Sequence, residues 1–96
     1  MTATVDIFNA YQHAYLLGMY GDEIRLFLNA IEEGEYKGTP KETPFGTFST
    51  GAPVTTDEDR EKVRQAIHDR LRKARSSLVA IEAATGVVTR RGGIER

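Results

Sequence analysis

The fold of this chain is set above all by residues 57–85, which read DEDREKVRQAIHDRLRKARSSLVAIEAAT. No glycine or proline interrupts this stretch; Thr56 precedes it as a hydroxyl N-cap and Gly86 follows it as a left-handed C-cap. The carboxylates at its start are favourable at the positive end of a helix dipole. We therefore predict one helix of 29 residues, about 43 Å long.

Apolar positions along this helix alternate in steps of four and three, which is the heptad spacing of helices that pack against each other. These positions are Ile67, Leu71, Ala74, Leu78, Ile81 and Thr85, with a less regular extension to Val63. We expect these heptad positions to be buried against the rest of the chain.

Two shorter helices are predicted before it, over about 4–20 and 22–33, separated by a break between Gly18 and Gly21. The first helix has two apolar stripes and should therefore contact two neighbours. One stripe is Phe8, Tyr11, Tyr15 and Met19, and the other is Ile7, Ala10, Ala14 and Leu17. The second helix begins with Asp22 as N-cap and ends at Gly34. Its buried face is predicted to be Ile24, Phe27, Leu28 and Ile31.

Between these helices and the long one, residues 34–56 contain all three prolines and show no sustained periodicity. We interpret them as a long loop in which Pro44–Phe48 forms a short hairpin or turn. Residues 89–96 are a basic tail. The chain is thus predicted to be a single all-α domain, residues 1–88, built either as an elongated helical hairpin or as a small three-helix bundle with one long C-terminal helix.

Several classes of function are excluded by what the chain lacks. Without cysteine it can have no disulfide framework, thiolate zinc site or iron–sulfur cluster. The only histidines, His13 and His68, have no partner at metal-ligand spacing. No nucleophile elbow or phosphate-binding glycine loop is present. We expect no catalysis, no metal and no cofactor, and a cytoplasmic protein that has no membrane span.

The charge distribution favours protein binding. The first 50 residues carry seven acidic and three basic side chains, whereas residues 51–96 carry seven acidic and ten basic ones. A two-layer helical hairpin also leaves apolar surface uncovered, which self-association or another protein would bury. We expect an inhibitor, adaptor or assembly component that forms a homo-oligomer. The candidate partner-binding residues are Glu32, Glu33, Glu35, Phe45, Phe48, Ile7 and Leu17.

The alternative hypothesis is association with nucleic acid. Arg64, Arg72 and Arg75 share one flank of the long helix and could track phosphates. Against this, the sequence pI is about 6.1, and no helix-turn-helix spacing is present. Salt bridges one turn apart on an exposed helix explain such charges equally well.

Overall fold

Two long helices and a small β-hairpin make up the fold. The computed structural model describes residues 6–87. Its elements in chain order are α1 (Ile7–Glu33), β1 (Lys41–Thr43), β2 (Gly46–Phe48) and α2 (Asp57–Thr85). The helices pack antiparallel, and the strands form an antiparallel pair with Thr43 opposite Gly46. The chain is therefore mostly helical, as predicted. The three-helix alternative is wrong, and the predicted tail, residues 89–96, lies outside the described residues.

The start of α2 shows the predicted cap in full. The Thr56 hydroxyl accepts a hydrogen bond from the Asp59 amide at 3.0 Å, and the Asp59 carboxylate accepts one from the Thr56 amide at 3.3 Å. These reciprocal bonds form a capping box. The pKa of Asp59 is lowered chiefly by a hydrogen bond from the Thr55 amide to its carboxylate, and further by hydrogen bonds from the side chain and amide of Thr56. The helix then continues without interruption to Gly86, whose φ of 77° closes it.

The break predicted between Gly18 and Gly21 does not occur, because α1 runs through both glycines. Each glycine costs a helix about 1 kcal/mol relative to alanine, but neither removes a backbone hydrogen bond as proline would. Asp22 does not cap a second helix; its carboxylate instead accepts a hydrogen bond from Arg25 at 2.8 Å. Packing along α2 therefore outweighs the local preference for a break.

The contact between the helices differs from the predicted one. On α2 the residues buried against the rest of the chain include Val63, Ala66, Arg70, Ser77 and Ala84. Leu71 and Leu78, which we expected to be buried, are 41% and 36% exposed. The physical reason is that small side chains at 66, 77 and 84 allow close approach of the helices. The larger side chains at heptad positions, such as Leu71 and Leu78, therefore lie beside the contact between α1 and α2 and not within it.

The hydrophobic core lies at the end of the hairpin where the connecting segment folds back. The rings of Phe27, Tyr36 and Phe48 contact one another with centroids 5.2 to 5.8 Å apart. Val54 and Val63 close the cluster. Residues 34–56 are therefore mostly an ordered lid on the helices, with the β-hairpin where we predicted a hairpin or turn.

A charged cluster fastens this lid to both helices. The Arg70 guanidinium donates to Glu23 of α1 at 2.6 Å, to Asp69 at 2.8 Å and to the carbonyl of Glu42 in β1 at 3.4 Å. Lys41 of β1 lies 3.4 Å from the second oxygen of Glu23. Glu23, Asp69 and Arg70 are all buried, so each charge depends on these partners.

Burial and pairing act in opposite directions on the two central groups. Burial by itself raises the pKa of Asp69, but hydrogen bonds and charges from Arg70 and Lys73 outweigh it, and the pKa lies below its usual value. Burial likewise opposes the charged form of Arg70, yet Glu23 and Asp69 raise its pKa. Both groups therefore remain charged in the folded protein near neutral pH.

The cluster predicts a pH-dependent loss of stability in Asp69→Asn. At pH 7 the free energy of unfolding should fall by about 1.5 to 3 kcal/mol, the value of hydrogen bonds to a charged group. A lowered folded-state pKa stabilises the protein above the unfolded pKa, about 3.9, and this contribution is lost as pH falls through the folded-state pKa. Urea unfolding from pH 7 downward should show the two proteins converging below about pH 4. Asp22→Asn, which removes an exposed pair, is the control; a difference for Asp69→Asn that stays constant with pH would contradict the assignment.

The position of the core predicts a second contrast. Phe27→Ala should lower the free energy of unfolding by about 3 to 5 kcal/mol, because it opens a cavity in a fully buried cluster. Leu71→Ala should cost well under half as much, since this side chain is already partly in solvent. Thermal and urea unfolding measure the two losses of stability. The protein concentration is kept as low as the signal allows, so that self-association does not contribute to the measured stability. Equal losses of unfolding free energy in Phe27→Ala and Leu71→Ala would mean that the heptad positions do form the contact between the helices.

Candidate protein-binding surface

The end of the helical hairpin opposite the lid has almost no core. We call residues 7–22 of α1 and 71–85 of α2 the open half. Within it only Ser77 and Ala84 are buried. The contacts that hold it together include the Asp6 amide donating to the Ala84 carbonyl at 2.9 Å and a 3.3 Å hydrogen bond between His13 and Ser77. Most of the exposed large hydrophobic residues of the described chain lie here. They are Ile7, Phe8, Tyr11, Tyr15, Leu71, Leu78 and Val79, followed by Val87 just beyond α2.

One side of the hairpin is apolar over residues 7–28 of α1 and 67–81 of α2, and we call it the apolar face. One groove of about 290 Å³ between the helices is lined by Ile7, Ala10, Ala14 and Ile81. The α1 stripe and the α2 stripe that contain these residues therefore face the same side of the hairpin. Each stripe advances in steps of three and four. None of the residues is charged, and all are half-buried or exposed. The face consists of Ile7, Ala10, Ala14, Leu17, Gly21, Ile24 and Leu28 on α1 with Ile67, Leu71, Ala74, Leu78 and Ile81 on α2.

The lid does not reach this face. Leu26 of α1 lies against the lid, since a Cβ added at Gly38 would come within 2.6 Å of its Cδ1 atom. On α2 the lid meets Lys62 and Arg70. Leu28 lies two residues beyond Leu26, and therefore about 200° around the helix, and is 52% exposed. The lid thus covers one side of the hairpin at its closed end and leaves the apolar face open.

A second exposed surface lies on α1 and consists of three aromatic side chains. Phe8, Tyr11 and Tyr15 are each 73% exposed, and we call them the aromatic ridge. Together with Gln12 and Leu16 they border a groove of about 510 Å³. We predicted these aromatics to be one of the packed stripes of this helix, but α2 lies against another side of α1. Exposed tyrosines and phenylalanines are the side chains that most often anchor protein interfaces.

The predicted acidic patch is placed at the end of α1, where its members differ in environment. Glu33 forms an ion pair with Lys37 at 2.7 Å, and its hydrogen bond raises the pKa of that lysine. Glu32 is exposed and has no ion pair with any residue from 6 to 87. Glu35 follows the helix, and its backbone bridges to Pro53. The patch is therefore a row of separate surface charges and not a convergent cluster.

The apolar candidates fall into different places. Ile7 and Leu17 both belong to the apolar face, one exposed and one half-buried. Phe45 is 43% exposed at the tip of the β-hairpin. Phe48 is 5% exposed within the core, where its ring cannot meet a partner. Of these four, the structure brings together Ile7 and Leu17.

The three arginines of the alternative hypothesis are mostly paired on their own helix. Arg64 forms a salt bridge with Glu61 at 3.0 Å, and Arg72 with Asp69 at 2.6 Å. Arg75 has no ion pair with the residues that the structure describes. Much of the positive charge on this flank is thus balanced one turn away, as is common on exposed helices.

The charged cluster around Arg70 offers little chemistry of its own. Its carboxylates are engaged by Arg70, Lys41, Arg72 and Lys73. Across residues 6–87, no three histidine, aspartate or glutamate side chains converge as the ligands of a metal ion would. The cluster therefore acts structurally, by joining the two helices and β1.

Sequence reasoning missed the extent of the apolar face. The stripe that begins with Ile7, Ala10, Ala14 and Leu17 continues through Gly21, Ile24 and Leu28 in the same steps of three and four. This continuity was visible in the sequence as one stripe of 22 residues. It was hidden by the assumption that Gly18 and Gly21 end a helix.

Comparison with known proteins does not assign the chain to a family. Within residues 6–87, neither helix is long and apolar enough to cross a lipid bilayer. No protein-family model, curated protein or solved structure matches this chain. A function must therefore be argued from the surfaces described above.

Proposed function

We propose that this chain acts without catalysis, by binding another protein through the apolar face. The observation that carries the proposal is the uncovered open half, where long apolar side chains are exposed beside only two buried residues. Contiguous apolar surface of this extent is typical of interaction sites on small folded proteins. The protein would serve as an inhibitor, adaptor or assembly component. We assign it to the cytoplasm, because a chain without cysteine needs no oxidising compartment to fold.

The aromatic ridge provides the same function with a second surface. Its three rings are separated by helical steps of three and four, so they form one continuous strip on the outside of α1. Tyrosine combines a large apolar area with a hydroxyl that tolerates water, which suits a surface that is free at some times and bound at others. Tyr11, a member of this ridge, also lines the groove of the apolar face.

Capture experiments with Leu78→Asp test the proposal. Leu78 is already 36% exposed, so a charge there is tolerated by the free chain but would be buried in a complex. Tagged protein should recover a defined protein from a lysate of its native cells, and Leu78→Asp should reduce that recovery by about tenfold or more. Val79→Asp is the matched control, because Val79 is 52% exposed and lies about 100° around the helix from Leu78.

The outcomes separate the hypotheses when nuclease treatment and two salt concentrations are included. Recovery that is unaffected by Leu78→Asp would show that the apolar face is not the binding surface. Recovery of nucleic acid that high salt and nuclease abolish, and that replacing Arg64, Arg72 and Arg75 with glutamine prevents, would instead support the alternative hypothesis.

A further inference from the structure

Each helix of the hairpin carries two heptad stripes side by side. On α1 one stripe, Leu16, Tyr20, Glu23, Phe27 and Ala30, is half-buried or buried and includes the residues of α1 that pack on α2. The other stripe is the α1 part of the apolar face, and α2 likewise has a packed stripe and an apolar-face stripe. In a four-helix bundle every helix contacts two neighbours through two such stripes. A single hairpin satisfies only one stripe of each helix.

We infer that the partner of the apolar face is a second copy of this chain. The two hairpins pack face to face as an antiparallel four-helix bundle, with the two-fold axis parallel to the helices. In this arrangement α1 of each copy lies over α2 of the other. The inference rests on the proposed function and names its partner.

The size of the face matches what a second hairpin would cover. The face spans 22 residues on α1 and 15 on α2, so it is about 32 Å long on one helix and about 21 Å long on the other, and each helix is about 10 Å across. The resulting area is about 500 Å² on each copy, so two copies would bury about 1,000 Å² in total, which is the lower limit for a specific interface. A single helix or an extended peptide would cover only half of it. The chain itself is a two-helix layer of the required length.

Side-chain volumes favour this arrangement over the other two-fold possibility. Three contacts show which residues of the two helices are level, that is, lie at the same height along the hairpin. These contacts are Asp6 with Ala84, His13 with Ser77 and Glu23 with Arg70. At four of the five levels where both helices contribute to the apolar face, one side chain is small and the other large; Ile24 with Ile67 is the exception. The four pairs are Gly21 with Leu71, Leu17 with Ala74, Ala14 with Leu78, and Ala10 with Ile81.

A two-fold axis parallel to the helices places each residue of the second copy at the same height along the bundle as in the first copy. Gly21 of one copy then receives Leu71 of the other copy, and large side chains fill the spaces left by small ones. An axis across the helices would stack α1 on α1 and α2 on α2. With that axis at the middle of the face, Gly21 would meet Ala14 of the other copy and leave a gap, while Leu71 would meet Leu78 and crowd it.

Cysteine cross-linking tests both the partner and the orientation, because the chain has no native cysteine. Gly21→Cys and Leu71→Cys are made as two separate variants. A Cβ at Gly21 meets nothing within 4 Å, and Leu71 is 41% exposed, so both are accommodated by the single chain. Under mild oxidation at micromolar concentration, a mixture of the two should give a disulfide-linked heterodimer, while each variant alone should give little linked product.

Either of two results would overturn the inference. A dimer in which the mixture of the two variants gives no linked heterodimer would show that α1 does not lie over α2 of the other copy, and that the axis is the other one. A mass of 10.7 kDa for the unmodified chain, with no increase over the micromolar range in light scattering, would show that no second copy binds. If the chain is monomeric but Leu78→Asp still abolishes capture of a different protein, the proposed function stands and only its partner is wrong.

A size exchange gives an independent measurement. Gly21→Leu should weaken dimerisation by about tenfold or more, because the new side chain occupies the space of the partner's leucine, although leucine favours the helix more than glycine does. Adding Leu71→Ala in the same chain should restore much of the dimer. Gly18→Leu is the matched control, since Gly18 also has nothing within 4 Å of an added Cβ but lies outside the apolar face. A dimer unaffected by Gly21→Leu would exclude the proposed packing.

Discussion

The buried guanidinium of Arg70 is the interaction on which the rest of the structure depends. It joins Glu23 of α1, Asp69 of its own helix and the backbone of β1. A buried charge without partners would destabilise the folded state, so all three elements must be in place together. The cluster also sets the register of the two helices, because it places Glu23 level with Arg70. That register fixes which other residues of the two helices lie level with each other.

The core is concentrated at one end because, among residues 6–87, it is the segment between the helices that folds back over them. Residues 34–56 fold back and contribute Tyr36, Phe48 and Val54 to the cluster around Phe27. No described segment covers the apolar face of the open half, and two helices alone bury one stripe each. The uneven distribution of core and exposed surface is thus a direct result of chain length and connectivity. A partner that adds two helices would complete the missing layers, and it would leave the aromatic ridge on the outside of α1.

Several features of the fold and of the candidate surface could be predicted from residues near each other in the chain. The Thr56 cap and the length of α2 depend on local hydrogen bonding and on the absence of glycine and proline. Apolar surface left uncovered on the hairpin was expected from the two stripes of α1 and is present at Ile7 and Leu28. The assignment of the stripes failed at Leu71 and Phe8, because heptad spacing shows which residues share a face but not which neighbour that face meets. Glycine at positions 18 and 21 was also misleading, since a helix end is a balance between local preference and packing.

Sequence was thus sufficient for the helical class, the long C-terminal helix, its cap, and the conclusion that one hairpin leaves apolar surface. These properties arise from local bonding and from periodicity, which are present in the order of residues. Only the tertiary structure could show that α1 is one helix and that Arg70 is buried. It also showed that Phe48 belongs to the core while Tyr11 and Tyr15 do not. The reason is that burial depends on which of two apolar stripes lies against the neighbouring helix, and here small side chains and one buried charge cluster made that choice.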